Sequence, residues 1–414
     1  MTAQAKKTPK KAGELDESFA EMGLINIPGG SHGSTRCVVE SSQGKLVYVV
    51  YQGRFCWLRR AMADGSPDPE FGQQEGVTKW QFEANTDARP TQLLAQADGK
   101  LLLIGSTGSH PFMRRIAVTR FNENGTPDLI FGTKILPFPV DPVPPEHALT
   151  TPAPVGCIGA DGRLLLASGY LLNSYDGSFR KEEGLLQRYD ATGEPDVEFG
   201  TLKVRFNGED SRIQSVDVLP DNRIVVFGSL DRPNQGQSHS RSALACYTPK
   251  GELDRTFAMD GYWEADEYSY FGDMQVHDDK VIFSSSRTIG DVVYLAVNRL
   301  LADGSVDLSF NSGKTVLINL DVPSVFPMSI AVQSDRKIVV AGYTFDGVQQ
   351  TLFWLRVSEA GVLDVDFADQ GVSRHADGYL SDGIVQRESG RIIFAADLGP
   401  YTQEKYPKVI GVQS

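Results

Sequence analysis

Short apolar runs bounded by Gly, Asp, Asn and Pro follow one another along the whole chain, and no stretch sustains the 3.6-residue period of an amphipathic helix. The pattern is clearest where TQLLAQ (91–96) leads through the turn ADGK into LLLIGS (101–106) and then, after a loop, into RIAVTRF (115–121). GVTKWQF (76–82) represents the outer strand of such a unit. The pattern predicts an all-β protein built from units of four strands.

The units repeat. Gly13, Gly65, Gly125, Gly193, Gly251, Gly304 and Gly361 are each followed three residues on by Asp and six on by Phe. Successive glycines lie 52 to 68 residues apart, a period that belongs to an array of supersecondary units. The chain ends in VIGVQS (409–414), which aligns with RIAVTRF, and the glycine expected next is supplied by KAGELDESF near the N-terminus. The reading is a seven-bladed β-propeller of four-stranded blades, closed by pairing N- and C-terminal strands so that no sheet edge is left open. Residues 1–12 are expected to form a flexible basic tail and 13–414 a single propeller.

The hairpin turns carry their own chemistry. An arginine stands five residues before the glycine in five units (Arg60, Arg120, Arg188, Arg299, Arg356), with Cys246 and Ser414 in the other places. A three-residue turn ending in a left-handed glycine makes this arginine face the following aspartate, which predicts a cross-strand ion pair such as Arg120 with Asp128. The repeated phenylalanine reads as a core plug. A second basic residue opens the second strand of every unit (Lys45, Lys100, Arg163, Arg223, Lys280, Lys337, Arg391).

Composition narrows the partners. A formal net charge of −13 argues against a phosphate-tracking surface and hence against nucleic acid. The N-terminus has lysines but no apolar segment behind them, and no run reaches the length of a membrane span, so a soluble, cytoplasmic protein without a Sec signal is expected, with non-Sec export left open. Cys37, Cys56, Cys157 and Cys246 lack metal-ligand spacing. Cys37 and Cys56 fall on strands about 9–10 Å apart, beyond disulfide reach, so buried free thiols are expected.

The elements GELDESF (13–19), GELDRTF (251–257) and DGKLLLIG (98–105) resemble the Delta-60 repeat family. The resemblance extends over nearly the whole chain and implies a β-propeller. It brings no catalytic motif with it, and Cys246, Ser414 and Ser389-Gly390 depart from its pattern.

Loop length points to a face. In a propeller the turns within the inner and outer hairpins share one face, whereas 133–153, 170–183 and 229–241 expand on the other, which makes that face the functional candidate. It also carries YWEADEYSY (262–270), whose Trp263, Tyr268 and Tyr270 interleave with Glu264, Asp266 and Glu267. Rings beside carboxylates suit a sugar or a cation, and Tyr175, Asp176 and Arg180 join from the neighbouring expansion. The expected function is a recognition module engaging a protein or glycan there, without cofactor or metal, and the sequence leaves enzymatic activity open. The oxygen-rich stretches 122–128 and 301–307 are read as turns rather than calcium loops. A lyase or hydrolase at the mouth of the central channel is the alternative, with His147, His239, Asp141 and Asp231 near the expanded loops, and a structural disc is a third. An enzyme requires several acids or histidines with perturbed pKa values in one funnel; a binder requires a broad exposed patch.

Overall fold

The computed structural model describes residues 11–28, 33–73, 75–110, 112–234 and 237–414. Most of the expected basic tail, including Lys6, Lys7 and Lys10, lies outside the described residues, as does His32. Twenty-eight strands and two short 3-10 turns make up the regular structure, and there is no α-helix among the described residues. The protein is an all-β propeller of antiparallel sheets. Four sheets have four strands each, one has five, and one has seven.

The seven-stranded sheet is two four-stranded sets sharing one strand. The first half of Val372–Val385 pairs with Gln350–Val357, and its second half pairs with Ile392–Leu398. The outer strand of this last set is Leu24–Asn26, which pairs with Tyr406–Val412. Chain continuity through Val372–Val385 makes one sheet of what the repeat pattern divides into two units. No sheet closes on itself, because strand pairing within each sheet stops at an innermost and an outermost strand.

The repeated Gly, Asp and Phe have separate tasks in one cluster. Gly125 has φ 81°, and a Cβ there would lie 2.5 Å from the ring of Phe71 in the preceding unit. A side chain is therefore excluded by both conformation and space. All seven repeat phenylalanines are buried, and the rings of Phe19, Phe71, Phe131, Phe199 and Phe310 lie against the turn glycine of the next unit.

The predicted ion pair forms: Arg120 Nε donates to Asp128 Oδ2 at 2.8 Å, and Arg60, Arg188, Arg299 and Arg356 do the same at 2.8–2.9 Å. These pairs are buried or part-buried rather than exposed. The guanidinium of Arg120 also lies over Phe131, 4.7 Å from its centroid. Arg60 and Arg299 each donate to a backbone carbonyl in a following unit's turn at 2.8 Å (Glu123 and Glu359), which ties unit to unit.

The second repeated cation explains the two missing arginines. Lys45, Lys100 and Arg163 reach the same aspartates from the inner hairpin, at 3.0–3.1 Å. Where Cys246 replaces the outer arginine, Arg223 holds Asp254 at 3.0 Å; where Ser414 does, Arg391 holds Asp16 at 2.6 Å. An inner arginine thus substitutes for the absent outer one. All four cysteines are free and buried.

Two of the expanded segments are not loops. Residues 170–183 and 229–241 continue the pairing of Leu164–Ser174 with Arg180–Tyr189, and of Ile224–Asn234 with Gln237–Tyr247, into long hairpins. The backbone stays in register nearly to each tip, so added length became added strand. Segment 133–153 wraps the first hairpin: His147–Thr150 pairs with its strand, and Phe138, Val140 and Val143 pack on Leu149, Tyr170 and Leu172.

Candidate functional site

The innermost strands share a feature that short-range pattern does not reveal. Six of them, Gly33–Glu40, Asp87–Ala95, Ser211–Val218, Ser269–His277, Ser324–Val332 and the second half of Val372–Val385, each carry one bulge. The bulged residues are Arg36, Thr91, Gln214, Phe271, Met328 and Ser381, and all six keep accessible surface. A bulge re-aims a side chain and bends the strand, and bulges concentrate beside functional sites. Here they recur at one level of the propeller's inner wall.

Just past the bulges stand three aspartates. Asp382 accepts Gly383 N–H at 2.8 Å and Val38 N–H of the neighbouring innermost strand at 2.9 Å. Asp273 takes Met274 N–H at 2.8 Å and Ile330 N–H at 3.1 Å, and Asp217 takes Val218 N–H at 2.9 Å and Val276 N–H at 2.8 Å. Gln92 and Gln275 make the same reach through Oε1, to Gly156 N–H and Val332 N–H. Innermost strands have an unpaired edge, and these side chains satisfy it.

The carboxyls are electrostatically unusual. Burial pushes Asp382 up to about 7, outweighing its two backbone N–H donors, and Asp273 adds to the rise. Burial likewise lifts Asp273 to about 6, with Asp217 adding to it, and raises Asp217 itself. The three acids therefore feel one another although they belong to different sheets. A carboxyl that changes protonation near neutrality can act as general acid or general base.

Around them polar atoms lack partners. The buried side-chain oxygens Thr35 Oγ1, Gln214 Oε1 and Ser381 Oγ have no hydrogen bond within the protein. Such atoms in a confined polar space hold water or ligand. Beside this wall, Asp397 is buried and accepts Thr35 N–H at 2.8 Å together with the Ser34 hydroxyl; burial raises its pKa.

An arc of aromatic rings spans three strand sets. Tyr268, Tyr270, Phe271, Phe326, Tyr343 and Tyr379 follow with successive centroids 5.2, 5.1, 5.3, 4.7 and 4.8 Å apart. Phe326 and Tyr343 are cross-strand partners and stack with an interplanar angle of 15°. All but Phe271 are half-buried, and Phe271 is 42% exposed.

The residues singled out in the sequence separate into three places. Tyr268 and Tyr270 begin the arc. Trp263, Glu264 and Asp266 line a cleft of about 1290 Å³ beside the outer strand Tyr262–Glu264. There the Trp263 ring packs edge-on against Phe283 at 4.8 Å, and Glu264 is paired with Arg241 at 3.2 Å. Tyr175 and Asp176 sit at a hairpin tip, Tyr175 being 74% exposed and Asp176 capping the turn through Ser178. Arg180 binds Glu182 and Asp231, and Asp231 lies close enough to raise the Tyr268 pKa, after burial and Tyr270. Asp141 and His147 lie on the segment that wraps this hairpin, and the side chain of His239 is outside the described residues. Among the described residues no cluster of three or more His, Cys, Asp or Glu is arranged for a metal ion, and no helix is long and apolar enough to cross a membrane.

Sequence reasoning passed over Asp217, Asp273 and Asp382. Their signal was present as a lone acid inside an apolar innermost strand, in QSVDV, GDMQV and SDGIV. A charge there has no outward face to occupy.

A family model described as a domain of unknown function (DUF5122) beta-propeller matches residues 96–131, 219–257 and 278–310. The chain is a β-propeller repeat protein. No curated protein matches it. Solved structures with this shape include an α-L-arabinofuranosidase from Fusarium graminearum, 13% identical, with 83% of this chain and 99% of that chain covered and a TM-score of 0.50. A virginiamycin B lyase from Staphylococcus aureus is 10% identical over 94% of this chain and 98% of that chain, with a TM-score of 0.48. The polysaccharide lyase Uly1 is 12% identical over 99% and 94%, with a TM-score of 0.47.

The expectation of a recognition module is corrected at the inner wall, where the feature set down as the mark of an enzyme, acids with perturbed pKa values, is present.

Proposed function

We propose that this propeller is a hydrolase or lyase acting on a small molecule at the mouth of its central channel. Asp382 and Asp273 serve as the acid–base pair. The observation that carries the reading is their elevation to about 7 and about 6 on the two inner strands that flank Ser324–Val332, on a wall whose oxygens include several that lack partners. At neutral pH one of the pair can hold a proton for a leaving group while the other accepts one, the division of labour that two carboxyls in unlike environments provide. Their hydrogen bonds to fixed backbone N–H groups hold both in place.

The reading takes residues 13–414 as one unit whose seven repeats are seven blades closed about an axis. Its support is the run of side-by-side contacts between innermost strands, from Gly33–Glu40 through each successive sheet to the second half of Val372–Val385, which returns to Gly33–Glu40.

The test is a screen of purified protein against chromogenic glycosides and polysaccharides, scoring new reducing ends for hydrolysis and unsaturated products for elimination. Turnover that disappears in Asp382→Asn, with folding intact, is the expected result. Turnover undiminished in that variant overturns the assignment.

A further inference from the structure

The wall beside the acids is asymmetric, and the asymmetry specifies a ligand. One side is the aromatic arc ending at Tyr379. Beyond its end stands Arg36, a bulged residue close enough to Tyr379 and Asp397 to influence both their pKa values. Arg36 makes no hydrogen bond or ion pair among the described residues. That sets it apart from the repeat arginines, each of which is locked to an aspartate. Asp397, an acid within its electrostatic reach, already accepts from Ser34 and Thr35. A partly enclosed guanidinium with open donors, next to the buried, unpartnered Thr35 Oγ1, is a site prepared for a planar anion.

The arc supplies the other half of the chemistry. The arc, with Phe271 42% exposed and the other rings half-buried, offers a continuous aromatic surface to the C–H groups of a sugar chain. An aliphatic acid would leave the rings unused, and a neutral sugar would leave Arg36 unpaired. We infer that the substrate is a uronic-acid oligosaccharide, whose sugars lie along the arc from Phe271 to Tyr379 and whose carboxylate is gripped by Arg36, which brings the adjoining glycosidic bond to Asp382. This names the substrate class of the site proposed above and rests on that reading.

Calorimetric titration of the full chain with tetragalacturonate and with its methyl ester separates the parts. The ester keeps the sugar faces and removes the charge. The expected result is binding of the acid at least tenfold tighter than the ester. Arg36→Gln should abolish that preference while leaving affinity for the ester unchanged, and Phe326→Ala should weaken both ligands. Asp382→Asn should bind the acid as the native protein does; if it does so and the native protein yields no product, the ligand class stands and the catalytic reading falls. Equal affinity for acid and ester, an unchanged preference in Arg36→Gln, or no binding of tetragalacturonate overturns the inference.

Discussion

Two sets of aspartates in this molecule respond to the fold in opposite ways. The seven repeat aspartates of the outer hairpins, Asp16, Asp68, Asp128, Asp196, Asp254, Asp307 and Asp364, are all held below the ordinary carboxylate range. Burial alone would raise Asp128, but hydrogen bonds from Lys100, Arg120 and Ile130 N–H bring it down to about 2. Asp217, Asp273 and Asp382 on the inner wall have backbone N–H donors and, at Asp273, the Ser215 side chain, but no cation, and burial wins. A cation decides the sign. The outer set recurs unit after unit with the same partners, which marks it as scaffold. The inner set stands at different offsets from its bulges and is surrounded by residues that differ in every unit, from Arg36 to Phe271 to Ser381. What repeats holds the fold together, and what differs between repeats is where chemistry can be placed.

The comparison can be broken most severely from the inside. Asp382→Asn is expected to lower turnover by ~10²–10⁴-fold, the usual worth of a general acid or base, while chemical denaturation shows the fold intact. The converse change belongs to the outer ring: Asp128→Ala strands Arg120 and should cost about 3–5 kcal/mol of stability, measured by urea unfolding, with the site's pH profile unmoved.

The two sets also predict opposite pH dependence. A raised carboxyl binds its proton more tightly folded than unfolded, so the native protein holds more protons between about pH 4 and pH 7, and the contribution of Asp382 to stability declines as pH rises through that window. The lowered Asp128 contributes stability above the unfolded pKa and loses it as pH falls toward about 2. Thermal melts of native protein and Asp382→Asn across pH 4–8 should therefore diverge, the native protein losing ground to the variant at the upper end. Parallel curves would remove the distinction between the two sets. The smallest effect is expected for Arg255→Ala, whose pair with Asp260 at 2.8 Å is exposed on both sides; its denaturation midpoint should match the native value.

How much of this could be read in advance follows the same division. The turn glycine, the Arg120–Asp128 pair and the buried phenylalanine were legible because spacing within one hairpin fixes which side chains face each other, and seven copies repeat the statement. The role of the inner basic residues was not, since Arg223 and Arg391 meet their aspartates 31 and 375 residues away along the chain. The inner wall was hidden for a further reason. A bulge shifts strand register by one, which reverses the face of every following side chain, so period-two reasoning misplaces Asp273 and Asp382. Their mutual influence is set by the arrangement of sheets, which no local window contains. Trp263 is a different case: its ring packs edge-on against Phe283 and also lines the outer cleft, a packing contact that its pattern of neighbours in the sequence did not show.

The most direct measurement is a ¹³C carboxyl titration of aspartate-labelled protein, with Asp273→Asn and Asp382→Asn to assign the signals. Two inner-wall carboxyls titrating near 6 and near 7, each perturbed when the other is replaced, is the predicted result. Both titrating in the ordinary range near 4 would contradict it, and with it the claim that the inner wall is poised for acid–base chemistry.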